Sequence, residues 1–91
     1  MKKKAENSTV NYDPEKVTES VEITFTKVTG SGNTTINGQI RKEGAVVGSV
    51  SYDERGGFLI TSLKPYASLT SEEVSAVHSS IPGYVQEMLE E

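Results

Sequence analysis

Between Val21 and Leu63 apolar residues recur at alternate positions, and this period of two is interrupted three times by short glycine-containing segments. No other feature constrains the fold as strongly, because a period of two gives a chain one apolar and one polar face and belongs to half-buried strands. Val21, Ile23 and Phe25 alternate with Glu22, Thr24 and Thr26, a β-branched pattern that makes this the firmest strand. Gly30-Ser31-Gly32-Asn33 tolerates positive φ and suits a hairpin. A second strand follows, with Ile36, Gly38 and Ile40 on one face and Thr35, Asn37, Gln39 and Arg41 on the other. After the turn at Lys42-Glu43-Gly44, Val46, Gly48, Val50 and Tyr52 form a third strand. Asp53-Glu54-Arg55-Gly56-Gly57 turns the chain into a fourth over 58–63, where Phe58 and Ile60 compete with Leu59 and Leu63 for the buried face. Connections this short join antiparallel neighbours, since parallel strands need crossovers of about a dozen residues or more.

Beyond Lys64-Pro65-Tyr66 the apolar period changes to that of a helix. Thr70-Ser71-Glu72-Glu73 reads as a capping box, with Leu69 and Val74 at the positions of a hydrophobic staple. Val74, Val77, His78, Ile81, Tyr84, Val85, Met88 and Leu89 then fall within an arc of about 140°, the stripe of a helix lying on a sheet. Pro82 lacks the amide that would bond back to the preceding turn, so a kink or a restart capped by Ser80 is expected there. Residues 1–16 are polar, show no apolar period and contain Asp13-Pro14, which reads as a flexible polar tail. The expected fold is therefore α+β. A four-stranded antiparallel β-meander is followed by one C-terminal helix, kinked near Pro82 and packed on one sheet face. This ββββα order occupies a single domain over 17–91. Val21, Ile23, Phe25, Ile36, Ile40, Val46, Val50, Phe58 and Ile60 are expected to face the helix, leaving an outer face rich in hydroxyls and amides.

Chemistry is sparse. The chain contains no cysteine and a single histidine, His78, placed by its spacing at the edge of the apolar stripe. Glu43, Asp53 and Glu54 fall in turns, Glu72 and Glu73 at the helix start and Glu87, Glu90 and Glu91 at the chain end, where solvated charges usually lie. Glu72 and Glu73 favour the positive end of the helix dipole, whereas Glu87, Glu90 and Glu91 sit at its negative end. That conflict predicts a basic segment over the helix C-terminus, supplied by Lys2-Lys3-Lys4 or by another subunit. The glycine pairs read as hairpin turns, since neither opens a helix after a parallel strand as a phosphate loop does. No nucleophile, base or metal constellation can be assembled, so the expectation is a protein that is not an enzyme and uses no cofactor or metal.

In element order over 17–91 the chain resembles the Whirly-type single-stranded-DNA-binding proteins and the related transcriptional coactivator fold. The resemblance implies nucleic-acid contact over a curved sheet and dimerisation through the helix. It assigns no site residue, because the basic and aromatic pattern those families carry is missing from this sheet face. The net charge of −4 and a pI near 5.0 also disfavour a nucleic-acid partner, whose binding rests on neutralised phosphates. The favoured reading is a small non-catalytic protein-interaction module that binds a protein partner or self-associates as a homodimer, with Tyr84, Met88 and Leu89 broadening the helix stripe into an interaction surface. The alternative is weak single-stranded nucleic-acid binding through Arg41, Lys42, Tyr52, Arg55 and Tyr66. Met1-Lys2-Lys3-Lys4 is followed by polar residues where a signal peptide needs an apolar stretch, and no run approaches the ~20 apolar residues of a membrane span, so a cytoplasmic protein without membrane contact is expected.

Overall fold

The computed structural model describes residues 3–6, 8–30, 32–65 and 68–91. Among the described residues seven strand segments precede one helix: β1 (Lys3–Glu6), β2 (Thr9–Tyr12), β3 (Glu15–Lys16), β4 (Val21–Gly30), β5 (Asn33–Lys42), β6 (Ala45–Asp53), β7 (Phe58–Leu63) and α1 (Ser71–Leu89). They form one antiparallel sheet in the order β1-β2-β4-β5-β6-β7, with β3 pairing the same strand, β4, that β2 pairs. The molecule is thus a small α+β domain with a wider sheet than the four-stranded expectation. The difference lies in the polar N-terminal run. Asp13-Pro14 breaks what would be one strand into β2, opposite 26–28 of β4, and β3, opposite Ile23 and Glu22. Val10 and Tyr12 of β2 are buried in the core, so a segment with few apolar residues still contributes through two of them.

Three turns set the register of the central meander. Gly30 pairs with Asn33 and Lys42 with Ala45. Glu43 and Gly44 between the latter pair have φ of 52° and 86°, so both sit in the left-handed region that tight hairpins use. Asp53 pairs with Phe58, and its carboxylate holds the intervening turn by accepting from the Asn33 amide at 2.9 Å and the Arg55 N–H at 3.0 Å. The Asn33 hydrogen bond, with the two turn amides, keeps the Asp53 pKa below its ordinary value.

The core lies between one sheet face and the helix. Val21, Ile23, Phe25, Ile36, Ile40 and Val50 face it as expected, joined by Val77, Ile81, Val85 and Met88 of α1. Each of the fully buried aliphatic or phenyl side chains contributes about 1.5–3 kcal/mol by leaving water. Val46, Phe58 and Ile60 do not face the core, a correction to the sequence-based expectation. In β6 the register shifts between Ile40 and Arg41, which pair with Gly48 and Val46, leaving Val47 as the extra residue of a bulge. The bulge turns Val47 inward and Val46 outward. Opposite β6, Tyr52 pairs with Leu59, Val50 with Thr61 and Gly48 with Leu63, so the odd-numbered residues of β7 take the core side and Phe58 and Ile60 point out. Only glycine fits at position 48, since a Cβ there would collide with the Ser62 carbonyl oxygen and approach Leu63 Cδ2 to 2.8 Å.

α1 is a single helix from Ser71 to Leu89 with Pro82 inside it, so it does not restart at Ser80. Pro82 is on the exposed side together with His78, the residue whose carbonyl it leaves without a helical donor, and water can take that bond. His78 is accordingly exposed and lies outside the core stripe in which the sequence spacing places it.

Candidate interaction surface

Both ends of the helix are tied down by side chains, which decides what remains available for partners. At the N-terminus the capping box is formed: Thr70 Oγ1 accepts from the Glu73 N–H at 3.1 Å, and Glu73 Oε1 accepts from the Thr70 N–H at 2.8 Å. The same carboxylate receives Lys42 Nζ at 2.8 Å and the Ser20 hydroxyl at 2.6 Å, while Lys42 also donates to the Ser68 carbonyl. These donors, Lys42 foremost, then Ser20 and the Thr70 amide, lower the Glu73 pKa to about 2. At the C-terminus Lys27, 9% exposed, donates from Nζ to the Met88 carbonyl at 2.8 Å. Lys3 of β1 lies 3.5 Å from Glu91 Oε1, and the Tyr12 hydroxyl donates to the same oxygen at 3.3 Å. The acidic helix end is therefore met by lysines of the same chain: Lys3, from the basic segment expected there, and Lys27 of β4.

The surface expected on the helix is not open. Met88 is fully buried, and Tyr84 and Leu89 are half-buried against the core. Tyr84 stacks obliquely on Phe25 with ring centroids 5.7 Å apart, and burial, with Glu15 and Glu87 nearby, raises its phenol pKa. The stripe is wide because it meets a sheet extended by β2.

The residues proposed for nucleic acid are not brought together. Lys42 is engaged by Glu73, and Tyr52 packs partly buried against the core. Arg41 lies on the outer face, with Nη2 donating to Gln39 Oε1 at 2.7 Å and with Nε buried and lacking an acceptor among the described residues. The Arg55 N–H donates to Asn33 Oδ1 at 3.0 Å, which places Arg55 at the opposite end of β5 from Lys42, about 30 Å away at the rise of a strand. Tyr66 lies outside the described residues.

What the outer face offers instead is a polar sheet with one apolar margin. Thr24, Gln39, Ser49 and Ser62 form one cross-strand row, and Asn11, Thr26, Asn37, Ser51 and Ile60 the next. A shallow depression of 180 Å³ lies over Thr24, Thr26, Asn37, Gly38 and Gln39. Its margin is β7, where Phe58 is 73% exposed and Ile60 57%. Among the described residues β7 pairs with β6 alone, so alternate backbone donors and acceptors along its other side meet no described strand. A second depression, of 460 Å³, adjoins its C-terminal end and is lined by Val46, Gly48, Leu63, Lys64 and Pro65 among others. The signal that could have found this margin is the turn at 54–57, which pairs Asp53 with Phe58 and so puts Phe58 and Ile60 on the face opposite to Val50 and Tyr52.

Among the described residues no group of three or more His, Asp or Glu side chains could hold a metal ion, and no helix is long and apolar enough to cross a membrane. No protein-family model matches the chain, and no curated protein or solved structure matches it.

Proposed function

We propose that this chain is a small non-catalytic protein-interaction module that associates by strand addition at β7 and that it self-associates. The observation that carries this reading is the exposure of Phe58 and Ile60 on a sheet edge whose six residues, Phe58–Leu63, include no charge. Edge strands are normally protected by charges, proline, bulges or a covering segment, and an uncharged apolar edge is a template for another strand. Truncating or charging such an edge has little to disturb inside the monomer, which separates an interaction role from a structural one.

The test is the mass of the purified chain by light scattering at micromolar concentration, with and without a mixed-sequence single-stranded oligonucleotide at low salt. A mass above the 9.8 kDa of one chain that ignores the oligonucleotide is the expected result. A single-chain mass that rises only with the oligonucleotide, and falls back with added salt, would overturn the reading in favour of nucleic-acid binding.

A further inference from the structure

We infer that the strand added to β7 is β7 of a second copy, antiparallel about a twofold axis through Ile60, so that two sheets become one. This inference rests on the reading of β7 as an association edge and names its occupant. The two edges of the sheet differ in kind. β1 carries Lys3, Lys4 and Glu6, and Lys3 is already paired with Glu91, whereas β7 is uncharged throughout. Pairing β1 of one copy with β7 of the next would set a strand that carries two lysines and a glutamate beside an uncharged one and, being head-to-tail, would not close. Pairing β7 with itself closes after two copies and opposes no charges.

Side-chain parity then restricts the register. A continuous sheet requires outer-face residues to meet outer-face residues, and in β7 these are Phe58, Ile60 and Ser62. An axis through Ile60 places Ile60 against Ile60 of the second copy and Phe58 against its Ser62. On the helix side it places Leu59 against Thr61. Ile60 thus covers Ile60 of the second copy directly, Phe58 lies diagonal to that pair within reach of an aromatic ring, and the half-buried Leu59 gains a neighbour on the helix side.

The row through Ile60 supplies the ruler. Asn37 and Asn11 belong to it and are exposed, on β5 and β2 respectively. Across the axis, Asn37 is separated from its equivalent by five inter-strand spacings, about 24 Å, and Asn11 by nine, at most about 43 Å. The experiment attaches a nitroxide at Asn37→Cys and, in a separate protein, at Asn11→Cys, and measures the dipolar distance in each, with and without Ile60→Lys. A synthetic peptide of residues 57–64 is titrated in parallel against the isotope-labelled wild type. The expected result is a defined distance at Asn37, a longer one at Asn11, and loss of both with Ile60→Lys. A dimer whose Asn37 labels lie farther apart than its Asn11 labels, or whose distances survive Ile60→Lys, would overturn the β7–β7 pairing. A chain that stays monomeric but binds the peptide with shifts along β7 would remove the second copy while leaving the edge reading intact. A monomer that ignores the peptide would remove both.

Discussion

Glu43 occupies a backbone conformation that its side chain disfavours. With φ at 52° beside Gly44 at 86°, it stands where tight hairpins prefer asparagine or glycine. Glu43→Asn is expected to stabilise the fold by about 0.5–1 kcal/mol, read as a higher urea midpoint at unchanged slope. Lys27 shows the opposite case, an unlikely residue in a fitting place. It continues the buried phase of Val21, Ile23 and Phe25, and its stem crosses the core edge to the Met88 carbonyl. Its phase was legible in the sequence, but its acceptor is a backbone atom on an element far along the chain, which no local pattern announces. Glu73 was legible as half of a capping box, and its partners Lys42 and Ser20 were not, for the same reason. Because its folded pKa of about 2 lies below the ordinary 4.5, Glu73 stabilises the fold above pH 4.5 and loses that contribution as pH falls toward 2. The gap in urea midpoint between the wild type and Glu73→Gln should therefore be widest near neutrality and shrink across that window. A gap that is constant from pH 7 to pH 2 would mean that the carboxylate charge is irrelevant there.

At the scale of elements, α1 tolerates a proline because the amide it removes faces water. Pro82 and Gly83 are both exposed, and the core contacts of Ile81 and Val85 lie on the other side. Pro82→Ala restores the bond to the His78 carbonyl and is expected to stabilise by about 1–3 kcal/mol, measured by thermal or urea unfolding. The central strands and the helix start could be read from period and turn chemistry, since β4, β5 and the capping box are specified by adjacent residues. The N-terminal strands could not. β2 is recruited by Val10 and Tyr12 against a sheet that must already exist, and its polar neighbours Thr9 and Asn11 give no alternation long enough to recognise. The bulge at Val47 had a similar effect. Val46, Val47 and Gly48 fit either phase in isolation, and only the pairing with Ile40 and Arg41 decides between them. That one residue sends Val46 rather than Val47 to solvent, whereas the exposure of Phe58 and Ile60 follows from the pairing of Asp53 with Phe58 across the 54–57 turn.

For the whole molecule, the consequence is a change in where association is expected. Sequence spacing put the apolar excess on the helix at Tyr84, Met88 and Leu89, on the argument that one helix covers little of a four-stranded sheet. With β2 added, the sheet covers that stripe instead, and Met88 is fully buried. The excess reappears at β7, the uncharged edge, while the opposite edge β1 carries lysines and a glutamate. An up-and-down meander of this kind has a blunted end and an open one, and the open one sets how copies can meet. The most direct measurement is the solution mass of the wild type and of Ile60→Lys at equal micromolar concentration, each checked for unchanged secondary structure by circular dichroism. The account predicts a dimer for the wild type and a folded 9.8 kDa monomer for the variant. Equal masses for the two, whether both monomeric or both dimeric, would contradict it.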